Sequence, residues 1–191
     1  GHALTLANAA EHADELAELI TYEMGCPISM SKQMQVGTPL AILDGYLEVA
    51  ATYPFREIRR SASGNALVTK EPIGVVAAVV SWNVPQSVLM MKLAPALITG
   101  CSIVIKPSSE TPLDSYLVAE LLQHAGVPDG VVNVLPAHRE VSEYLVTHPG
   151  VDKIAFTGST GVGKYLASLA GQHLKRVTLE LGGKSAGIFL D

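Results

Sequence analysis

The stretch "IGVVAAVVSWNVP", Ile73–Pro85, decides the fold class of this sequence. Its first eight residues are apolar or glycine, and a short polar turn and a proline follow at once. A continuous apolar run of this length is typical of a strand buried on both faces. Proline directly after a turn is typical of the first turn of a helix. Ile73–Val80 therefore predicts a buried strand that leads into a helix ending near Thr99.

The same alternation of strand and helix continues to the end of the sequence. Strands are predicted at Ser102–Ile105, Val131–Leu135, Lys153–Phe156 and Arg176–Glu180, with a last one starting near Ala186. Helices are predicted between them at Pro112–Ala125, Glu140–Thr147 and Ser159–Gly171. Strands that alternate with helices in this way form a parallel sheet covered on both faces. The fold class is therefore α/β.

Two helices are predicted ahead of the sheet. Apolar residues at three- and four-residue spacing indicate an amphipathic helix over Leu4–Met24, which Gly25 and Pro27 end. Thr38-Pro39 is typical of a capped helix start with proline in the first turn, and this second helix reaches about Tyr53.

A polar segment separates the helical pair from the sheet. Residues 56–71, around "SASGN", have the pattern of a hairpin or arm on the surface. We therefore divide the chain into a helical segment at 1–55, an arm at 56–71 and an α/β unit at 72–191.

Composition and charge exclude several classes of function. Hydrophobic residues make up 48% of the 191 and charged residues 16%, which is typical of a globular interior. The 13 Lys and Arg against 18 Asp and Glu give a net charge of -5, and no basic cluster is present to neutralise nucleic acid. The longest apolar run falls far short of the roughly 20 residues that span a bilayer. We expect a cytoplasmic protein that binds neither nucleic acid nor membrane.

The two cysteines, Cys26 and Cys101, form neither a disulfide framework nor a metal-binding spacing. The histidines have no close partners at ligand spacing. We therefore predict no metal site.

Five loops follow the predicted strands and are the candidate site. In a parallel sheet, ligands bind beyond the carboxyl ends of the strands, where loops meet the N-termini of helices. The loops read "SWNVP" (81–85), "KPSSETP" (106–112), "LPAHR" (135–139), "FTGSTGVGK" (156–164) and "ELGGK" (180–184).

The fourth loop satisfies most of a phosphate-loop pattern, so a nucleotide triphosphatase is one alternative. That pattern requires Ser or Thr after its lysine, because a hydroxyl there binds magnesium, and this chain has Tyr165. The glycines at 158, 161 and 163 do not match the dinucleotide fingerprint either. Taken alone, the loop is equally a helix start capped by Ser159 and Thr160.

The loops taken together resemble the NAD(P)-dependent aldehyde dehydrogenase superfamily. The resemblance rests on "EPIGVVAAVVSWNVP", "MKLAPALITGCSIVIKPSSETPL", "VDKIAFTGSTGVGK" and "VTLELGGKS", in the order and at about the spacing of that family. It covers residues 3–191. It implies a Rossmann-like domain preceded by a helical pair and a short β arm, and oxidation of a small aldehyde to a carboxylic acid.

The resemblance also implies catalytic roles. In the family, a cysteine thiolate attacks the aldehyde, hydride passes to the nicotinamide, and a carboxylate activates the water that hydrolyses the thioester. The matching carboxylate is Glu180, beside glycines that allow it to swing. Asn83 matches the amide that stabilises the oxyanion. Lys92 matches a lysine that moves protons away from the base.

The same loops would hold the cofactor. Trp82 would lie at the nicotinamide end, Lys106 would donate to the adenosine ribose, Ser159 and its helix would meet the pyrophosphate, and Val162 would flank the adenine. The complete set implied for the cofactor is Ser81, Trp82, Lys106, Ser108, Ser109, Gly158, Ser159, Val162, Leu181 and Gly182.

Each of these residues also has an ordinary structural interpretation. Glu180 could form an ion pair at the rim of the sheet, and Asn83 could be a turn residue. Lys92 and Lys106 could extend from element ends into water. Trp82 and Val162 could belong to the core.

Two positions depart from the family. Three residues after the ribose lysine the family has an acid that repels a 2′-phosphate, whereas this chain has Ser109 followed by Glu110. The cofactor is therefore NAD or NADP. Ala137 replaces a common glycine in a loop that looks slightly shortened, so the adenosine slot differs in shape.

The nucleophile is expected outside this chain. The family cysteine follows "ELGGKS" by some tens of residues, and Cys101 begins a strand whose far end carries Lys106, ~16 Å away at the rise of a strand. We therefore expect a truncated aldehyde dehydrogenase fold without its catalytic domain, inactive by itself, whose full-length form is a homodimer or homotetramer. A catalytically silent nucleotide-binding module and the nucleotide triphosphatase are the alternatives.

Overall fold

The computed structural model describes residues 11–189. Its helices are α1 (Ala13–Met24), α2 (Ile28–Met30), a π-helical segment (Ser31–Gly37), α3 (Thr38–Thr52), α4 (Pro85–Ile98), α5 (Leu113–His124), α6 (Arg139–Thr147) and α7 (Thr160–Gln172). Its strands are β1 (Arg56–Ser61), β2 (Gly64–Thr69), β3 (Val75–Val79), β4 (Ser102–Lys106), β5 (Val132–Val134), β6 (Lys153–Gly158) and β7 (Arg176–Leu181).

The main sheet has five parallel strands in the order β5-β4-β3-β6-β7. The chain builds outward from β3 through β4 to β5, then crosses over to place β6 and β7 on the other side of β3. The predicted α/β fold with a Rossmann-like parallel sheet is confirmed. The connections leave β3 and β6 in opposite directions, which opens a crevice at their carboxyl ends.

Helices cover both faces of the sheet because the strands are apolar on both sides. On one face, Val76, Ala78, Ile103 and Ile105 pack with residues of α4 and α5. On the other face, Ile154 and Phe156 pack against α7, and Ala77 packs against α6. This two-sided burial explains why the strands read as continuous apolar runs rather than as alternating ones.

The helical pair differs from the prediction at the start of its second helix. Helix α1 ends where predicted, at Gly25, whose φ of 74° suits glycine and whose N–H donates to Thr21 O. The part of the first predicted helix before residue 11 lies outside the described residues. The second helix begins at Ile28, so Thr38 is an interior residue and not a cap. Pro39 has no N–H to donate to the backbone hydrogen bonds of the helix. The wider π-helical turn before it lets the helix continue although that hydrogen bond is missing.

Strands β1 and β2 form the predicted surface hairpin, antiparallel from Arg56 opposite Thr69 to Ser61 opposite Gly64.

The strand predicted near Ala186 is wrong for the residues that the structure describes. Residues 182–189 have no ladder partner, and Ile188 and Phe189 are almost fully exposed. An apolar pattern becomes a strand only when a neighbour accepts and donates its backbone hydrogen bonds.

Within 11–189, no helix is both long and apolar enough to cross a membrane.

Candidate functional site

A groove with a volume of about 1190 Å³ opens at the carboxyl ends of the strands. It lies at the crevice between β3 and β6, where the direction of the connections reverses. Small-molecule sites commonly have volumes of about 300–1,000 Å³, so this groove has room for an extended ligand.

Most of the predicted site residues line this groove. The tips of three strands meet there, with Asn83 after β3, Lys106 at the end of β4 and Glu180 in β7. The other predicted residues in its wall are Ser81, Trp82, Ser108, Gly158, Ser159, Val162, Leu181 and Gly182. Lys92 and Ser109 are not part of the wall.

Asn83 lies in the loop after β3 and is held by both of its oxygens. The Ser81 hydroxyl donates to Asn83 Oδ1 at 2.9 Å, and Gln35 Nε2 donates to the Asn83 backbone oxygen at 3.0 Å. Among the described residues, Asn83 Nδ2 has no hydrogen-bond partner. The amide therefore presents a free donor on an exposed side chain in the groove wall.

Lys92 lies beneath the groove on α4. Its Nζ donates to Thr157 Oγ1 at 2.6 Å, and Thr157 is itself in the wall of the groove. Burial lowers the pKa of Lys92 to about 8, and the negative charge of Glu180 opposes that shift. A lysine with such a pKa exchanges its proton near neutral pH, and Thr157 connects it to the groove.

Lys106 and the loop after it form a polar cluster at the side of the groove. Burial lowers the pKa of Lys106, and the nearby Glu110 carboxylate opposes this shift. Glu110 accepts hydrogen bonds from Ser108 and, at 3.3 Å, from Ser109. The Ser108 bond, above all, holds the pKa of Glu110 below its usual range. Ser109 does not line the groove, and its hydroxyl contacts the Glu110 carboxylate instead.

The N-terminus of α7 faces the groove with only one side-chain cap. Ser159 Oγ accepts from the Val162 N–H at 3.4 Å, a long hydrogen bond. Gly163 permits the close approach of α7 to β7, since a Cβ there would lie 2.4 Å from Leu181 Cδ2. The first N–H groups of α7 and the positive end of its dipole thus lie beside Gly158.

Sequence reasoning missed the contribution of two helix faces. Ser142 and Glu143 of α6 and Tyr165 of α7 also line the groove, next to Arg139, which ends the predicted loop 135–139. Interaction with Glu143 raises the pKa of Tyr165. The strand pattern points only to loops after strands, whereas Ser142, Glu143 and Tyr165 lie inside helices and face the groove because α6 and α7 pack side by side.

Neither of the two cysteines lines the groove. Cys101 is buried just before β4, at the end of the strand opposite Lys106, and its Sγ lies 3.5 Å from Thr99 Oγ1. Cys26 is buried in the turn after α1. Within residues 11–189, no group of three or more His, Cys, Asp and Glu residues is arranged to hold a metal ion.

Comparison with known proteins identifies the family. Residues 4–191 match the aldehyde dehydrogenase family. Geranial dehydrogenase of Castellaniella defragrans is 43% identical over 192 residues, which cover 100% of this chain and 40% of that protein. Phenylacetaldehyde dehydrogenase of Pseudomonas fluorescens is 42% identical, with 98% of this chain and 39% of that protein covered.

Solved structures agree with the sequence comparison. The crystal structure of Mycobacterium tuberculosis aldehyde dehydrogenase complexed with NAD+ matches with a TM-score of 0.93 and 38% identity. That match covers 96% of this chain and 38% of the other. The chain thus spans about 40% of the length of the relatives it matches. On its sequence and its fold, the chain belongs to the aldehyde dehydrogenase family.

Proposed function

We propose that this chain supplies the cofactor-binding part and the general base of an enzyme that oxidises an aldehyde to a carboxylic acid with NAD or NADP. The observation that carries the proposal is the meeting of Asn83, Lys106 and Glu180 in one groove. Family membership supports it, as do the activities named for the relatives and the NAD+ complex of one of them.

The donors of the groove fit a dinucleotide. The half-buried ammonium of Lys106 is available to ribose hydroxyls, and the N-terminus of α7 supplies N–H groups and a positive dipole end for a pyrophosphate. No side chain fills the space at Gly161 and Gly182, where an added Cβ would meet no atom within 4 Å. Val162 lies beside the same helix end and offers an apolar surface to the adenine.

Both forms of the cofactor remain compatible with the adenosine side of the groove. Ser109 carries no charge that would repel a 2′-phosphate. Glu110 lies next to Lys106 and would repel one if its carboxylate turned toward the ribose. Its hydrogen bonds to Ser108 and Ser109 compete with that movement.

Bound nicotinamide would supply the hydride acceptor, and this chain's residues would handle charge and protons around the aldehyde. Asn83 would donate from Nδ2 to the oxygen of the former carbonyl as it becomes negative. Since Ser81 occupies Oδ1, the amide is already oriented for that donation. Trp82 would cover the nicotinamide end and exclude water from it.

Glu180 would take a proton from the water that hydrolyses the thioester. It is exposed in the groove wall, which leaves its carboxylate free to meet a water molecule. Lys92, with its pKa of about 8, would then exchange protons with the base through the region of Thr157.

The nucleophile would be a cysteine that is not in this sequence. Cys26 and Cys101 are both buried, and neither lines the groove that contains Asn83. The chain alone would therefore bind the cofactor without turning over an aldehyde.

The geometry of "GSTGVGK" argues against a nucleotide triphosphatase. Helix α7 begins at Thr160, so Gly161, Gly163 and Lys164 are helical and leave no loop to wrap a triphosphate.

We also propose that the β1–β2 hairpin joins subunits of the complete protein. Ile58 and Leu67 face each other across the hairpin and are both about two-thirds exposed, at 67% and 66%. An exposed apolar pair on a two-stranded sheet is stabilised when a second chain covers it.

Replacing the general base tests the proposed reaction in the complete protein. Glu180→Gln should release about one equivalent of reduced cofactor per site and then stall, because hydride transfer precedes the hydrolysis that needs the base. Steady-state turnover should fall at least about 100-fold. Stopped-flow absorbance of the reduced nicotinamide measures both phases.

The matched control is Glu48→Gln, an exposed acid on α3 outside the groove, which should behave as the wild type. Unchanged steady-state turnover in Glu180→Gln would refute the assignment of the base. A wild-type protein that reduces neither NAD nor NADP with any aldehyde would refute the reaction.

A further inference from the structure

The loop that carries Asn83 has few anchors of its own. It connects β3 to α4, and its start is tied to the sheet by the Val80 N–H, which donates to Lys106 O at 3.1 Å. At its other end, Val84 precedes α4 without a side-chain cap. Among the described residues, Gln35 is the one side chain from outside the loop that hydrogen-bonds to it.

Gln35 is built into the interior at this contact. Only 4% of its surface is exposed, and its Nε2 donates both to the Asn83 backbone oxygen at 3.0 Å and to Met24 Sδ at 3.8 Å. The carbonyl of Asn83 requires a donor, which fixes the orientation of the Gln35 amide. Gln35 Oε1 has no partner although it is buried. Burying Oε1 without a partner costs free energy, and the Nε2 bond to the Asn83 carbonyl offsets part of that cost.

The π-helical segment gives Gln35 this position. Ser31, Gln35 and Val36 are the buried residues of the segment, and the Ser31 hydroxyl bonds to Thr21 Oγ1 at 2.8 Å. Two polar side chains one turn apart thus point inward at a place where the helix is wound more widely than an α-helix. π-Helical turns of this kind frequently occur beside functional sites.

We infer that Gln35 is a positioning residue that clamps the Asn83 loop from the helical pair. Ser81 orients the amide of Asn83, whereas Gln35 holds the backbone from which that amide extends. The catalytic consequence rests on the proposed function, because it assumes that Asn83 stabilises an oxyanion. The contact between Gln35 and the Asn83 loop does not depend on the proposed function.

Trp82 reports on the clamp directly. It is the only tryptophan in the sequence, it precedes Asn83, and its side chain is 50% exposed. Its fluorescence therefore comes from the clamped loop alone, and quenching by acrylamide measures how freely that loop moves.

The experiment compares Gln35→Met, which keeps the length of the side chain and removes the donor, with Gln35→Glu, which places an acceptor against the Asn83 carbonyl. Acrylamide quenching of Trp82 should rise in both, up to about twofold because the side chain is already half exposed, and more in Gln35→Glu. Gln33→Met is the matched control, since Gln33 is an exposed glutamine of the same π-helical segment, and it should leave the quenching unchanged.

A measurement on the wild type covers the case in which a variant fails to fold. A through-hydrogen-bond NMR coupling between Gln35 Nε2 and the Asn83 carbonyl carbon should be detectable. Its absence would overturn the clamp, as would unchanged Trp82 quenching in folded Gln35 variants.

Kinetics of the complete protein separate positioning from general stability. Gln35→Met should lower kcat about tenfold and leave the KM for the dinucleotide within about twofold, because the oxyanion contact is made only in the transition state. A change in KM alone would refute the positioning role. If the wild type proves inactive while Trp82 still responds to Gln35→Met, the clamp stands and the proposed function fails.

Discussion

Asn83 is held by both of its oxygens, and its amide nitrogen has no hydrogen-bond partner within residues 11–189. Ser81 takes the side-chain oxygen and Gln35 takes the backbone oxygen. A donor held in this way needs no reorganisation when charge develops opposite it, and such preorganised donors contribute strongly to catalysis of acyl transfer.

Removing that donor gives the prediction at the scale of the residue. Asn83→Ala should slow hydride transfer about 100-fold in the complete protein, because one preorganised donor to an oxyanion is lost. Single-turnover kinetics with excess enzyme measure this step. Asn133→Ala is the control, since Asn133 is exposed on β5, lies outside the groove, and its side chain donates to Gly130 O. Equal single-turnover rates for the wild type and Asn83→Ala would contradict the role of the amide.

Residues at strand ends could be predicted from the sequence, and Gln35 could not. The carboxyl ends of parallel strands meet at one edge of a sheet, so the strand pattern places Lys106 and Glu180 at that edge, and the family resemblance supplies their roles. The contact between Gln35 and Asn83 joins positions 48 apart in sequence. It depends on how α1 to α3 pack on α4, which no local pattern encodes.

At the scale of the element, α4 and α5 share a buried acid. Gln86 Nε2 donates to Asp114 Oδ2 at 2.9 Å, and the Glu23 carboxylate at the end of α1 accepts from the N–H groups of Leu113 and Asp114. Burial raises the pKa of Asp114 to about 7, and the charge of Glu23 adds to the shift. Glu23 thus caps the N-terminus of α5, where an α-helix favours negative charge.

The raised pKa makes stability depend on pH. Between 3.8 and about 7 the folded state keeps a proton on Asp114 that the unfolded state has lost, so stability falls as pH rises through this window. Asp114→Asn removes the titration. The free energy of unfolding of the variant, relative to that of the wild type, should rise by on the order of 2–3 kcal/mol between pH 5 and pH 8. Each pH unit within the window contributes about 1.4 kcal/mol. Urea unfolding at the two pH values measures the gain.

Asp44→Asn serves as the control, because Asp44 is exposed on α3 and water solvates it in the folded and the unfolded state. The same difference between Asp114→Asn and wild type at both pH values would show that burial does not perturb this acid.

The strands of the sheet were the elements best predicted from the sequence. Continuous apolar runs placed β3, β4 and β6 close to their observed bounds. The start of the second helix at Ile28 was missed because Thr38-Pro39 has the chemistry of a helix start, and only the preceding π-helical segment allows the helix to continue through it. The strand predicted near Ala186 depends on a neighbour that the described residues do not contain.

At the scale of the whole molecule, strand order creates the site. Because β6 returns to the other side of β3, the loops after these two strands separate and leave the groove between them. Family membership and fold agree on this arrangement over nearly the full length of the chain. We propose that this one groove binds a nicotinamide dinucleotide.

Titration of the chain with NAD, NADP and ATP, each with and without magnesium, tests that claim most directly. The fluorescence of Trp82, the single tryptophan in the wall of the groove, follows binding. We expect saturable binding of NAD or NADP that does not need magnesium. The binding should weaken about tenfold or more in Lys106→Ala, which lacks the donor to the ribose. Binding of ATP that requires magnesium, with no binding of either dinucleotide, would contradict the proposal.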